Sequence, residues 1–257
     1  MTYYIDLGGI TFHGNTGGDG GWYFNELVDW NGLPDSKTEG EDIPLGDGSY
    51  DPGTMYRSSR AISFSGFFLG ENHADVLAAR DRITAWGAKR QLQPMTVSDE
   101  SGVWMRMVSI RSIPMQDTQG ASELMFTVHC VAPDPLRYGP ETQQSVEPNG
   151  EVLLVNRGTA EAYPTIEATG ASGGFLITEV GTERGLQMKR SIGVGQSIIV
   201  DCRQRAVWQD DLLVTGELTR LDWVVLPPGG SVRLRFQTIG ATVGTPNMIT
   251  RLRAASW

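Results

Sequence analysis

The amino-acid sequence predicts a mainly β protein of two domains with one α-helix. At 257 residues the chain is longer than one small hydrophobic core usually organises, which favours two domains. Its 32 glycines and 13 prolines follow no repeat, as expected of turns between many strands. Apolar residues alternate at period two in most segments and follow helical spacing in one, so strands should dominate.

Two strands are predicted in the N-terminal half. Residues 60–69 put Ile62, Phe64 and Phe68 on one face, which is typical of a half-buried strand. Residues 123–131 show the same alternation. Their apolar face carries Leu124, Phe126, Val128 and Cys130, and their other face carries Glu123, Thr127 and His129.

Between these strands lies the one stretch with helical spacing. Asn72 suits the N-cap with Asp75 three residues later, and Gly87 suits the C-terminal end, ahead of Lys89 and Arg90. The apolar stripe consists of Val76, Ala79, Ile83 and Trp86. A helix is therefore predicted over residues 73–86, with its stripe packed on a sheet.

Residues 31–54 are rich in Gly, Pro, Asp and Glu and poor in large apolar residues. That composition predicts a long exposed loop, which we call the arm. Long loops within compact domains often have a function, so two interpretations remain open. The arm is either an extension that reaches a neighbouring subunit or a disordered segment.

Four prolines occur within sixteen residues, namely Pro133, Pro135, Pro140 and Pro148. Because proline lacks the backbone donor that a sheet uses, the domain boundary is predicted here, giving domains 1–138 and 139–257. Strand and turn patterns then alternate regularly, which predicts an antiparallel β-sandwich. The predicted strands are residues 152–156, 164–169, 175–180, 186–189, 197–202, 221–226 and 231–239.

The charge balance argues against two classes of partner. The formal net charge of -9 repels nucleic-acid phosphates and anionic membrane surfaces. No apolar run approaches the roughly 20 residues of a membrane-spanning helix, and residues 1–7 lack a signal-peptide pattern. We therefore expect no direct nucleic-acid binding, no membrane insertion and synthesis in a cytosol. Cys130 and Cys202 are far apart in the sequence and are expected to be buried free thiols.

Motifs of the common catalytic and metal-binding families are absent from the sequence, including the Walker loop, Cys-x-x-Cys, His-Glu-x-x-His and Gly-x-Ser-x-Gly. His13 and His73 are scattered, and His129 points to the opposite strand face from Cys130, so no thiol–imidazole pair is expected. We accordingly predict no catalytic, cofactor-binding or metal-binding residue and no enzyme activity.

Two polar segments resemble ligand sites only superficially. Residues 14–21 are glycine-rich, but Trp22 follows them instead of a helix, which favours a hairpin tip over a phosphate loop. The acidic residues of the arm lack the spacing of a calcium loop, which favours a solvated charged segment. These residues are Glu39, Glu41, Asp42, Asp47 and Asp51.

Five short segments together resemble the distal tail proteins (Dit) of long-tailed bacteriophages. They are residues 60–66 with the following helix, 126–138, 155–170, 199–203 and 223–231. Each is weak alone, but their order and spacing are moderately specific and span roughly residues 55–235. The arm matches no pattern of that family. No additional domain interrupts the second half, so a host-carbohydrate module of the kind some relatives carry is expected to be missing.

The resemblance implies a ring-forming belt domain over residues 1–138 and a galectin-like β-sandwich over residues 139–257. It implies a hexameric ring at the tail tip of a virion, assembled in the host cytoplasm, without a cofactor. The implied partners are further copies of the chain, the tail tube protein and the tail-tip hub, with the tape measure protein as a further candidate. An exposed arm suits ring closure by contacts between different surfaces of identical subunits.

Two other functions remain as alternatives. A carbohydrate-binding β-sandwich would use exposed aromatic residues of the second half, such as Trp208, Trp223 or Trp257, to attach to a host surface. A glycoside hydrolase would need two carboxylates about 5 to 10 Å apart. Its candidates are Glu167, Glu179, Asp201, Asp210 and Asp211.

Overall fold

The secondary structure is mainly β-strand with one α-helix, which confirms the predicted fold class. The structure is a computed structural model that describes residues 3–14, 21–38, 40–51, 53–117 and 122–257. By compactness the chain divides into a first unit, Met1–Arg137 with Trp257, and a second unit, Tyr138–Ser256. No helix in the described ranges is long and apolar enough to cross a membrane.

The first unit is built on a closed barrel. Its elements are β1 (Tyr4–Leu7), β2 (Ile10–His13), β3 (Gly21–Val28), β4 (Arg60–Leu69), α1 (His73–Gly87), β5 (Gln93–Asp99), β6 (Gly102–Ser112), β7 (Met115–Asp117) and β8 (Glu123–Ala132). Neighbouring strands follow the order β6-β5-β1-β2-β3-β4-β8, and pairing of β8 with β6 closes the ring of seven. The short strand β7 adds to β8.

An aromatic core fills this barrel. Phe12 contacts Phe64 and Trp22 edge to face, with ring centroids 5.0 and 5.7 Å apart, a favoured arrangement for aromatic pairs. Phe126 joins the same cluster at 5.6 Å from Phe12. The predicted inward residues of β4 and β8 lie in this core, except Phe68, which is partly buried and packs against it.

Helix α1 begins and packs as its sequence predicts. The Asn72 side chain accepts a hydrogen bond from the Asp75 amide while the Asp75 carboxylate accepts one from the Asn72 amide, forming a capping box. The whole apolar stripe is buried, and the helix packs against β4, β6 and β8. Inside the core, Trp86 Nε1 donates to Gln93 Oε1 at 2.9 Å.

The second unit consists of two antiparallel sheets. Its strands are β9 (Arg137–Val146), β10 (Glu151–Val155), β11 (Thr165–Ala171), β12 (Phe175–Glu179), β13 (Gly185–Met188), β14 (Ser197–Asp201), β15 (Ala206–Gln209), β16 (Leu212–Leu213), β17 (Leu218–Leu221), β18 (Ser231–Thr238) and β19 (Val243–Ser256). One sheet has the order β16-β15-β14-β11-β19-β9 and the other β10-β18-β12-β13-β17. Along β18, Val232, Leu234 and Phe236 are buried as predicted.

Asn156 organises the entry into these sheets. It is fully buried, and its side-chain Nδ2 donates to the carbonyls of Ala160 and Pro227 at 2.7 and 3.1 Å. Its Oδ1 accepts from the Gly158 amide at 3.0 Å. Gly158 leaves no room for a side chain, because a Cβ there would lie 1.8 Å from the Ala255 carbonyl oxygen. The loop between β10 and β11, residues 156–164, is therefore tightly packed, and the Asn156 side-chain amide holds it in place.

One sequence expectation about strands is wrong. Residues 221–226 form no strand, since β17 ends at Leu221, where the Asp222 carboxylate accepts from the Gly185 amide. The apolar pattern there reflects burial of Val224 and Leu226 without a ladder. The proline-rich segment used to place the domain boundary contains strand β9, in which Pro140 is exposed.

The expected hairpin at residues 14–21 is also corrected. Strands β2 and β3 pair in parallel through His13 and Tyr23, whereas the two strands of a hairpin are antiparallel. The glycine-rich tip itself, residues 15–20, lies outside the described residues.

Candidate functional site

Three arginines converge on the root of the arm. Arg60, at the start of β4, donates from Nη1 to the Asp29 carbonyl at 3.0 Å and from Nη2 to the Gly32 carbonyl at 2.7 Å. Arg106 of β6 donates to the Trp30 carbonyl at 2.5 Å. Arg60 also donates to the Asn31 carbonyl, and Arg137 donates to the side-chain oxygen of Asn31. Guanidinium groups thus bind the carbonyls of four consecutive residues, 29–32.

Burial and aromatic stacking fix these guanidinium groups. Arg106 is completely buried and its Cζ lies 4.4 Å from the ring centroid of Trp30, while Arg137 lies over Trp104 at 5.0 Å. Cations over indole faces gain roughly 0.5 to 2 kcal/mol, and more when water is excluded. Both arginines are therefore held by a carbonyl or amide oxygen on one side and a ring on another.

The cluster is electrostatically strained. Burial, followed by repulsion from Arg60 and Arg137, lowers the pKa of Arg106 to about 9, although Asp134 acts in the opposite direction. Burial likewise lowers the pKa of Arg60, where Asp29 opposes the change. Arg106 remains protonated at neutral pH, so the arm root is held by charge-assisted hydrogen bonds, which are roughly twice as strong as neutral ones.

A mixed polar cleft adjoins the arm root. It encloses about 470 Å³ and is lined by Tyr3, Asn31, Asp99, Glu100, Ser101 and Arg137. Asp99 and Glu100 oppose the single cation Arg137, so the cleft is not an anion site. Asp99 is also used locally, accepting hydrogen bonds from the amide and hydroxyl of Ser101.

Beyond its root the arm doubles back on itself. Ser36 and Arg57 form an antiparallel bridge, and the Ser58 amide donates to the Asp35 carbonyl at 2.9 Å. Nearer the tip, Asp42 and Ser49 form a second bridge. The described part of the arm thus consists of two limbs that pair with each other at these two bridges, and its two ends lie side by side.

The surface of the arm is both apolar and acidic. Leu45 is fully exposed at the tip and Tyr50 is 57% exposed, while Tyr56, two residues after the arm, is 67% exposed. The arm sequence contains six acidic side chains and one lysine. Its described acidic residues Asp35, Glu41, Asp42, Asp47 and Asp51 are all exposed. Exposed large apolar side chains on a projection mark an interaction surface more often than isolated ones do.

The groups considered for catalysis are dispersed or inert. His129 is exposed and Cys130 buried on the opposite face, as expected, while His73 begins α1. Burial raises the pKa of Cys130 and of Cys202 to about 12, which removes the thiolate that a nucleophile requires. No group of three His, Cys, Asp or Glu residues in the described ranges is arranged to hold a metal ion.

The five carboxylates considered for a glycosidase each have a local structural contact or turn position. Glu167 pairs with Arg251 at 2.9 Å, Glu179 with Arg184 at 3.6 Å, and Asp201 accepts from the Arg203 amide. Asp210 accepts from Gln196, and Asp210 and Asp211 both adopt positive φ in the turn between β15 and β16. Of these five carboxylates, Asp210 lines a described cleft, together with Arg190 and Gln196.

Aromatic residues in the second unit are engaged by neighbours. Arg203 lies over the ring of Tyr138 and donates to its hydroxyl, while the Tyr163 hydroxyl donates to Glu161 at 2.6 Å. Tyr138, Tyr163 and Arg203 belong to a cleft of about 230 Å³. Trp208 is 37% exposed and its backbone partners Ile199 and Leu213 are also apolar. The next residue in that row is Glu167, whose carboxylate is already paired with Arg251.

Sequence reasoning did not identify the arginines that anchor the arm. A signal for them was present, because Arg60 has the same strand parity as the buried Ile62 and Phe64, and Arg106 the same parity as the buried Val108. A charged residue at an inward position needs a partner. The partner, however, is a run of backbone carbonyls, which no residue type reveals.

Comparisons with known proteins find a shared fold among solved structures but no matching family or curated protein. No family model and no curated protein matches the chain. Among solved structures, the chain is similar to SPP1 Dit (gp 19.1), described as a paradigm of the hub adsorption apparatus in phages infecting Gram-positive bacteria. The TM-score is 0.72 at 16% identity, and 98% of each chain is covered.

A second similar structure is a chain of the phage P2 baseplate in its activated conformation with Ca. The TM-score is 0.52 at 10% identity, covering 97% of this chain and 98% of that chain. At these identities the likeness shows a shared fold over essentially the whole length. The two units therefore have the fold of phage hub and baseplate chains.

Proposed function

We propose that this protein is a structural component of a phage tail, a distal tail hub that forms a hexameric ring linking the tail tube to the tail tip. The observation that carries the proposal is the shared fold with SPP1 Dit over 98% of both chains. A match to only one unit would support a common domain, but a match to both in the same order supports a common architecture. The ring would lie at the tail tip of a virion, after assembly in the host cytoplasm.

The chemistry of the described residues is consistent with a non-enzymatic role. The buried thiols, the exposed His129 and the locally used carboxylates offer no pair for acid–base or nucleophilic catalysis. The carbohydrate-binding alternative has less support, because the Tyr138 ring is covered by Arg203. The remaining candidate for a functional surface is one that contacts another protein chain, and the exposed arm is the main example.

The first experiment measures the mass of the purified chain in solution. Light scattering and native mass spectrometry over a range of micromolar concentrations should detect a species six times the 28.1 kDa chain, with intermediates at low concentration. Negative-stain electron microscopy should then show closed rings. A single 28.1 kDa species up to high micromolar concentration would contradict the proposal.

An arm-less variant provides a matched control for this experiment. Residues 36–57 can be replaced by an Asn-Gly turn, because the Ser58 amide and Asp35 carbonyl already lie 2.9 Å apart. The three anchoring arginines and residues 29–32 remain. We expect a folded chain, with the same strand content by circular dichroism, that no longer forms rings.

A further inference from the structure

The arm is negatively charged, and positively charged residues lie elsewhere on the first unit. Its described acidic residues lie on both limbs and at the tip, and all of them are exposed. From the bridge at Ser36 to the one at Asp42 the chain spans at most about 20 Å, at roughly 3.3 Å per extended residue. This length limits how far the arm can carry these carboxylates from its root.

Three exposed basic residues lie in the C-terminal half of helix α1 or just after its end, and we call them the basic patch. They are Arg82, Lys89 and Arg90, and the exposed Leu92 follows them along the chain. Arg82 donates to the Gly9 carbonyl at 3.1 Å, which positions its guanidinium group on the surface. Nearby, Asp81 lies 3.6 Å from Arg80, so it is already opposed by a cation of its own. The patch therefore has a net positive charge.

This patch contrasts with the overall charge. A chain with net charge -9 repels its own copies at long range, so association needs a local attraction between unlike surfaces. The acidic arm and the basic patch are such surfaces. Both also bring apolar side chains to the contact, Leu45 and Tyr50 on the arm and Leu92 beside the patch.

We infer that the acidic arm of one copy docks on the basic patch, Arg82, Lys89 and Arg90, of a second copy. This inference rests on the proposed ring assembly and names the two surfaces that meet in it. Because the surfaces differ, the contact is heterologous, which is the type of contact that closes into a ring. Its charged part weakens with salt, since the Debye length is about 8 Å at physiological ionic strength.

Charge reversal tests the pairing. Lys89→Glu/Arg90→Glu on the patch and Glu41→Lys/Asp47→Lys on the arm should each weaken ring formation at least tenfold in the association midpoint. Combining all four substitutions in one chain should restore most of the loss, since the charges again attract. The matched control is Arg111→Glu/Arg157→Glu, which changes the net charge equally at two other exposed positions.

The outcomes separate this inference from the proposed function. If the unmodified chain assembles and both reversal variants assemble equally well, the arm–patch contact is wrong while the ring stands. The same conclusion follows if the control weakens assembly as much as the patch variant. A chain that stays a monomer under all conditions overturns the ring and the contact together.

Cross-linking gives an independent measurement. A mixture of two proteins, one with Asp47→Cys and the other with Arg90→Cys, should form an interchain disulfide under mild oxidation. Native Cys130 and Cys202 are buried and do not interfere. Since the two new thiols are on different chains, only an intermolecular contact can join them. Cross-linking of Asp47→Cys to Arg111→Cys with equal yield would contradict the inference.

Discussion

Gly8 lies directly against the indole of Trp86, so closely that a Cβ on Gly8 would stand 1.4 Å from Trp86 Nε1. Gly8 also has a φ of +65°, which L residues with side chains rarely adopt. The turn between β1 and β2 therefore provides the surface on which the end of α1 is seated.

Gly8→Ala should destabilise the first unit much more than Gly9→Ala does. Gly9 has a similar φ of +81°, but a Cβ there would meet nothing within 4 Å, so it reports backbone strain alone. We expect about 1 to 2 kcal/mol for Gly9→Ala from strain and about 3 kcal/mol or more for Gly8→Ala, which adds overpacking. Urea unfolding followed by tryptophan fluorescence measures both. Equal midpoints for the two variants would mean that the indole is not packed on Gly8.

Trp86→Ala should unfold or loosen the first unit. Trp86 is 4% exposed, and large-to-small changes of this kind cost roughly 3 to 5 kcal/mol. A domain of this size has only about 5 to 15 kcal/mol in total, and ring assembly should be lost with it. Calorimetry should show the transition of the first unit lowered while a cooperative transition of residues 138–256 persists. If the first transition stays where it was, the helix contributes no packing energy.

Arg60→Lys should release the root of the arm. Arg60 is 3% exposed and donates to the carbonyls of Asp29, Asn31, Gly32 and Pro135. A lysine ammonium cannot replace the several N–H donors of the planar guanidinium group. Each hydrogen bond to a charged group contributes roughly 1.5 to 3 kcal/mol to stability. Hydrogen exchange and protease cleavage in residues 29–35 should accelerate at least tenfold. Arg57→Lys, which loses one bond to the Pro34 carbonyl, is the control and should change both only slightly.

Stability should fall above about pH 9 because of the two buried thiols. Their pKa is about 12 in the folded protein against the ordinary value of 9.0, so the unfolded chain loses these protons first as the pH rises. The folded state then binds more protons than the unfolded state, and stability present below pH 9 is progressively lost toward pH 12. Between pH 8 and 10.5 the urea unfolding midpoint should fall with pH less steeply in Cys130→Ala/Cys202→Ala than in the unmodified protein. An unchanged slope would assign the pH dependence to other groups.

Local sequence patterns determined the elements whose burial follows a simple period. The capping residues Asn72 and Asp75 and the stripe through Trp86 specify α1, because helix ends and helix faces are encoded within about one turn. The alternation in β4, β8 and β18 specified their inward faces in the same way. The composition of the arm likewise indicated exposure before any packing was known.

Tertiary structure alone decided the rest, because it depends on residues far apart in the chain. The barrel closes where Ser109 of β6 meets Val131 of β8, and Pro140 lies within a strand that its sequence argues against. Arg60, Arg106 and Arg137 meet at residues 29–32 only once those strands are paired. Side-chain periodicity records which residues are buried, but carbonyl acceptors have no sequence signature, so the anchor of the arm had to be found in three dimensions.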